Sequence, residues 1–325
     1  MYDIIVVGGG PAGMTAALYG LRGGKSVLVI EKDSFGGQIT HSPRVENYPA
    51  LASVSGNEYA EKLMDQILAQ GAEIEIDRVT GIEPFQAPDG GYGSEAAGKV
   101  KGRNTCWLVS TEEGGAFEGR SVILATGVKH RMLGLPGEED LIGEGISFCA
   151  VCDADFYAGQ NVCVVGGGDA ALQEAILLSE KCGEVTVIHR RPYFTGEQKL
   201  QDILFSRPNV QFIMGAKIDS LLLREDGGFR GVHLAAASEE GQDPGDLLCD
   251  GLFVAIGHIP ENKPFKELAD LDQAGYFASG ENCRTRTPGL FVAGDCRQKK
   301  VRQLTTAVAD GAVAALAACD YLNGI

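Results

Sequence analysis

"IIVVGGGPAGMTAALYGLRGGKSVLVIEK", Ile4 to Lys32, decides the fold. An apolar run, a turn of glycines, a stretch rich in small residues and a second apolar run follow one another without interruption. Short apolar runs of this kind read as buried strands, and the stretch between them reads as a helix lying on the strands. A strand that returns through a helical crossover runs parallel to the first, so the stretch is a βαβ unit. Within it Gly8, Gly10 and Gly13 satisfy GxGxxG. The first glycine permits the tight turn, the second lets a pyrophosphate approach the backbone, and the third must be small for helix and strand to touch. Pro11 and Ala12 open the helix, where proline's missing N–H costs nothing.

The unit occurs twice. "VCVVGGGDAALQEAILLSEKCGEVTVIHR", Val162 to Arg190, repeats it with Gly166, Gly168 and Ala171 as GxGxxA, and with Asp169 and Ala170 opening the helix. Glu31 and His189 stand at the same offset of 23 from the first glycine of each turn (31 − 8 and 189 − 166). A carboxylate there accepts hydrogen bonds from free ribose hydroxyls and repels a 2′-phosphate, so Glu31 suits the adenosine of FAD or NAD. The second unit replaces the acid by "HRR", and Arg190 and Arg191 next to His189 offer fork geometry to a phosphate. That favours NADPH over NADH, although Thr195 stands where a further arginine would strengthen the reading.

Between the two units lies "FCAVCD", Phe148 to Asp153. Cys149 and Cys152 read as a redox pair, as half of a zinc site or as two inert thiols. Zinc needs two further good ligands, normally a second CxxC or a CxxH, and none is evident. Beside two dinucleotide units the redox reading leads. "DADFYAG" after the pair suits a short helix ending at Gly159, and cysteines at a helix start are biased toward thiolate. Asp153 either protonates the thiolate released on reduction or stabilises the helix start.

The rest of the chain sets bounds. A length of 325 residues suits two domains. Met1 leads directly into an apolar strand with no basic leader, and no apolar run approaches the roughly 20 residues that span a bilayer. A cytoplasmic protein is expected. Nine cysteines in that setting are reduced unless catalytic. A formal charge of −16 argues against nucleic acid, which needs a basic face.

Taken together, "GGGPAG", "GGQ" at 36–38, "ENYP" at 46–49, "ATG" at 125–127, "CAVCD", "GGGDAA", "HRR", "FVAIGHIP" and "TPGLFVAGDCRQKKVRQLTTAVADG" resemble the low-molecular-weight thioredoxin reductases over essentially the whole chain. The resemblance implies an α/β protein of two Rossmann-like three-layer nucleotide-binding domains. A discontinuous FAD domain, 1–127 and 256–325, carries an inserted NADPH domain, 128–255, that holds the cysteine pair. By position Gly8, Gly10, Pro11, Ala12, Gly13 and Glu31 hold the FAD adenosine diphosphate. Gly37, Gln38, Asn47 and Gly127 lie along FAD, and Gly294, Asp295, Arg302 and Gln303 hold its ribityl and isoalloxazine part. Gly166, Gly168, Asp169, Ala170, Ala171, His189, Arg190 and Arg191 form the NADPH site. The chain crossings are expected near "GVKHR" and "GHIPEN", and the glycine-rich segments 88–104 and 238–246 read as hairpin loops.

The implied activity is a thioredoxin-disulfide reductase. NADPH reduces FAD, the flavin opens the Cys149–Cys152 disulfide, and the dithiol reduces a thioredoxin or thioredoxin-like protein, with Asp153 as proton donor. One CxxC cannot face flavin and partner together, so the resemblance also implies rotation of one domain against the other, and a homodimer. Three alternatives stay open: a ferredoxin-fed reductase of the same fold, a flavin-dependent oxidase of small dithiols, and a nucleotide-binding module whose cysteines only sense redox state.

Overall fold

The structure, a computed structural model, describes residues 1–86, 105–238, 241 and 243–325. The chain divides into two compact units, Met1–Lys129 with Ile259–Ile325, and His130–His258, so the second is inserted within the first.

The first unit is built around strand Tyr2–Val7. Ile4 and Val6 enter one core with the helices Pro11–Arg22, Gly56–Ala69 and Leu304–Asn323, while Ile5 and Val7 enter another with Trp107, Val109, Phe265 and Phe277. Successive residues point to opposite faces and both faces are covered, which is why the strand is an unbroken apolar run rather than an alternating one. Glu73–Ile76, Val27–Glu31, Tyr2–Val7 and Ala116–Leu124 lie side by side and parallel. Ala116–Leu124 then has two partners on its far side. Its first half pairs antiparallel with Thr105–Thr111, and its second half pairs parallel with Leu290–Val292. One strand therefore serves both a three-stranded meander, completed by Val79–Gln86, and the parallel sheet.

The second unit repeats this plan. Val210–Met214, Val185–His189, Val162–Val165, Gly251–Val254 and Ile146–Ser147 form a wholly parallel sheet. Val162 and Val164 pack on Ala171, Ala175 and Leu178 of helix Asp169–Lys181, and Cys163 and Val165 pack on Ile218, Phe229 and Val232 of the meander Ala216–Leu223, Phe229–Ala236 and Gly245–Leu248. Helices cover one face and a meander the other, as in the first unit. Here the shared strand is broken in two, Gly245–Leu248 and Gly251–Val254, at Asp250, whose N–H donates to Asn161 O at 2.7 Å. Both units are three-layer Rossmann-like α/β structures, and the fold class is the one the glycine turns predict.

The segment 88–104 lies outside the described residues, as do 239, 240 and 242 of the segment 238–246. No described helix is long and apolar enough to cross a membrane.

Candidate active site

The first glycine turn is dictated by the space around it. Gly8 has a φ of 112°, and a Cβ on it would lie 2.3 Å from Ala125 O; a Cβ on Gly13 would lie 1.8 Å from Gly8 O. At Gly10 the situation reverses, because a Cβ would meet only Gly36 O, at 3.9 Å. The open room is thus at the start of helix Pro11–Arg22, which has no side-chain cap. Its first N–H groups are free to receive an anion, and the cradle fits a pyrophosphate. Buried Glu31 accepts the Gly9 N–H at 2.5 Å and the Asp33 N–H at 3.1 Å, so it shapes the turn from the strand end.

The second turn obeys the same geometry. A Cβ on Gly166 would lie 2.4 Å from Ala255 O, whereas a Cβ on Gly168 would meet only Thr195 Oγ1, at 4.0 Å, and helix Asp169–Lys181 also lacks a side-chain cap. Asp169 Oδ1 accepts the Glu197 N–H at 2.7 Å. The His189 ring fills the space beside Gly167, 2.4 Å from where a Cβ would be. Burial first, then Arg191 and Arg190, hold His189 below the ordinary imidazole value, so it is neutral at pH 7.

A cavity of about 740 Å³ opens over this turn, lined by Gly166 to Ala170, by His189, Arg190 and Arg191, and by Arg131 and Lys217. Thr195 also lines it, but its hydroxyl is committed to Gly167 O at 3.1 Å. Lys217 arrives from the meander two residues after Gly215, whose N–H donates to Arg191 O at 3.3 Å. Sequence reasoning missed Arg131 and Lys217. Lys217 belongs to no motif, and only the pairing of Val210–Met214 with Val185–His189 carries it beside the arginines, while Arg131, in the crossing segment, donates its N–H to Gly257 O at 3.0 Å.

Cys149 and Cys152 form a disulfide with a Cα separation of 5.3 Å. Cys149 is the N-cap of the short helix Ala150–Asp153, and its Sγ accepts the Cys152 N–H at 3.2 Å. Ser147, which the sequence did not mark, ties the group together. Its hydroxyl donates to Asp153 Oδ2 at 2.6 Å and accepts the Cys149 N–H at 3.1 Å. Burial raises Asp153 above the ordinary carboxylate value while Ser147 pulls it back. A carboxyl so placed can hold a proton within the helix that carries the sulfurs. The other seven cysteines, Cys106, Cys163, Cys182, Cys249, Cys283, Cys296 and Cys319, are buried free thiols.

The remaining expected residues gather in the first unit. Gly36 N–H donates to Gly9 O at 2.9 Å, which sets the turn Gly37–His41, with Gln38, beside the glycine turn. Asn47 Nδ2 donates to Gln303 Oε1 at 3.2 Å, and Gln303 caps helix Leu304–Asn323 in a reciprocal box with Thr306. Arg302 donates to Asp295 O at 3.3 Å and lies over the Tyr276 ring at 4.0 Å. A Cβ on Gly294 would lie 2.7 Å from Ala12 Cβ, so the Gly294–Cys296 turn touches the first helix; Gly127, with a φ of 64°, faces open space.

Asp310 organises this end of the unit and was not foreseen. Its carboxylate accepts Arg297 Nε at 2.8 Å and Nη2 at 2.7 Å, Lys299 Nζ at 3.1 Å and the Gly294 N–H at 3.1 Å. Burial pushes Asp310 up, but Arg297 and Lys299 outweigh it and hold the carboxyl below its ordinary value. The signal available was an acid inside the alanine-rich first half of the helix Leu304–Asn323.

Comparison with known proteins agrees in family. The model of the family described as "Pyridine nucleotide-disulphide oxidoreductase" matches residues 2–311. A thioredoxin reductase of Peptoclostridium acidaminophilum is 36% identical over 327 residues, covering 99% of this chain and 98% of that protein. One of Bacillus subtilis is 33% identical, covering 99% and 95%. The crystal structure of thioredoxin reductase from Streptococcus pyogenes superposes with a TM-score of 0.87 at 38% identity, covering 100% of this chain and 99% of that one.

Proposed function

The chain belongs to the pyridine nucleotide-disulphide oxidoreductase family, and from that premise we propose that it is a flavoprotein disulfide reductase which passes electrons from NADPH through FAD and the Cys149–Cys152 pair to a thioredoxin or thioredoxin-like protein. The observation that carries the reading is the disulfide itself. It sits on an N-cap with a protonatable carboxyl in the same short helix, in a chain with two uncapped glycine-turn helices.

The first unit would hold FAD, with Gly8, Gly10 and Gly13 receiving the pyrophosphate and Glu31 the ribose, and with Asn47, Asp295, Arg302 and Gln303 toward the flavin. The second would hold NADPH, with the phosphates at Gly166 and Gly168 and the 2′-phosphate among Arg190, Arg191 and Lys217. A bound flavin supplies the exchange between a two-electron hydride donor and thiol chemistry. Within the chain, Asp153 protonates the sulfur released when the disulfide opens, and the Cys149 helix start favours the thiolate that attacks the partner. The partner's disulfide then exchanges through a mixed disulfide. The proposal includes a homodimer, as the sequence resemblance implies, and a cytoplasmic setting.

The test is anaerobic mixing of the yellow protein with NADPH or NADH while flavin bleaching is followed, then addition of oxidised thioredoxin. Bleaching by NADPH, with thioredoxin reduction lost in Cys149→Ser and Cys152→Ser, is expected. Bleaching by reduced ferredoxin or by a dithiol, and by neither nucleotide, overturns the electron source.

A further inference from the structure

Glu174 has no part in the chemistry assigned so far, yet its helix, Asp169–Lys181, packs against the short helix Ala150–Asp153 that carries Cys152. Ala150 and Ala154, either side of Asp153 in the chain, pack in one core with Ala171 and Ala175 of helix Asp169–Lys181. That packing brings the Asp153 charge within electrostatic reach of Glu174. Each carboxyl keeps one oxygen sealed from solvent without a hydrogen-bond partner, Oδ1 of Asp153 and Oε2 of Glu174. The other Asp153 oxygen receives the Ser147 hydroxyl at 2.6 Å. Two partly desolvated carboxyls on packed helices disfavour a second negative charge, which favours keeping one proton between them.

We propose that Asp153 and Glu174 share one proton, and that Glu174 is a positioning residue that keeps Asp153 able to protonate a cysteine sulfur.

The surroundings fit. Burial first, and the Asp153 charge second, push Glu174 up to about 8. Tyr157, on the adjoining turn, is pushed to about 12 by burial and then by Asp153, so it stays neutral. The charges elsewhere on the helix and on the elements packed against it are engaged or outward. Lys181 pairs with Asp155, Glu180 with Arg207, and Asp169 holds the Glu197 N–H. On helix Gln198–Phe205, Asp202 is bonded to Gln198 and Lys199 is exposed. Cys163 on the neighbouring strand faces the opposite core, and His189 at the end of the next is neutral.

Opening the disulfide breaks the Cys149–Cys152 S–S bond, takes up two electrons and two protons, and leaves two thiols. In the reductase reading, on which the rate effect rests, NADPH is the reductant. The balance is NADPH + H⁺ + disulfide giving NADP⁺ + dithiol, so one proton must be added beyond the hydride. Asp153 gives that proton to sulfur, Glu174 acts by keeping the pair protonated, and solvent restores the proton.

The test has two arms on the intact flavoprotein. Infrared spectroscopy of the oxidised protein reads the proton without turnover: wild type shows a protonated buried carboxyl band at pH 7 that is lost through an apparent pKa near 8, and Glu174→Gln lacks it. A wild-type protein without the band, or a Glu174→Gln protein that keeps it, overturns the proposal whether or not the chain is a reductase. In steady-state reduction of thioredoxin, the alkaline fall in kcat moves to lower pH by ~1 unit or more in Glu174→Gln, because the pair has lost its shared proton. An unmoved alkaline limb also overturns it. Failure of wild type to reduce any thioredoxin speaks against the reductase reading alone. If Glu174→Gln does not fold, the wild-type infrared titration alone decides.

Discussion

Glu31 and His189 end equivalent strands and act on equivalent glycine turns in opposite ways. The Glu31 carboxylate accepts the Gly9 N–H at 2.5 Å, while the His189 ring packs into the space beside Gly167. One turn is closed by a negative group and the other lies among cations. Two copies of one βαβ unit therefore present opposite charge at the ends of their second strands.

From this contrast follows a nucleotide preference. Arg190→Ala with Arg191→Ala removes the fork donors beside the His189 strand end, and each charge-assisted hydrogen bond lost to a 2′-phosphate is worth about 1.5–3 kcal/mol, or roughly 10- to 100-fold. The KM for NADPH rises by at least that factor while the KM for NADH stays within about 3-fold. Lys217→Ala shifts the same ratio by a smaller factor. Initial rates with the two nucleotides decide the matter, and equal losses for both sink the 2′-phosphate assignment.

The third motif position separates the two turns. A Cβ on Gly13 would lie 1.8 Å from Gly8 O, a backbone atom that cannot retreat. Gly13→Ala therefore loses bound flavin and melts early. Position 171 already carries a methyl, and Ala171→Gly costs only about 1–2 kcal/mol, the helix propensity of the change plus the loss of one buried methyl. Flavin absorbance after desalting, together with thermal melts of both variants, is the check. A yellow, stable Gly13→Ala protein contradicts the packing argument.

The glycine turns, both strand ends and the cysteine pair were legible because each is local: a turn needs Gly8 within a few residues of Gly13, and CxxC places its sulfurs by spacing alone. What stayed hidden depends on distant pairing. Ser147 meets Asp153 only because Ile146–Ser147 joins the edge of the second sheet. Lys217 reaches the arginines only through the register that aligns His189 with Met214. Asp310 finds Arg297 only after a long helix lies down on the first one, where a Cβ on Gly311 would come within 2.2 Å of Ala12 O. None of these leaves a periodic trace in the chain.

Thiol chemistry gives a simple count. Seven free cysteines are buried, which shields them from reagent, and desolvation further raises Cys182 to about 11 and Cys283 to about 12. Oxidised native protein therefore gives almost no fast reaction with a disulfide reagent. After mild reduction two thiols appear, those of Cys149 and Cys152. A fast thiol in the oxidised double variant Cys149→Ser/Cys152→Ser shows instead that one of the seven is reactive.

The Asp310 cluster sets a stability prediction with a defined pH sign. Arg297 is 4% exposed and donates twice to Asp310, so Asp310→Asn leaves a buried guanidinium without its counter-charge. Breaking such a pair from one side costs about 3–5 kcal/mol. Burial alone would raise the Asp310 carboxyl, but Arg297 and Lys299 hold it below the ordinary value in the folded state. A depressed carboxyl contributes stability above its unfolded value of about 3.9 and loses it as pH falls through the lower folded value. The gap in melting temperature between wild type and Asp310→Asn is therefore widest near pH 7 and narrows below about pH 4. Calorimetry at several pH values measures it. A gap that stays constant from neutral to acid pH shows that the lost packing of Asn, and not the ion pair, destabilises the variant.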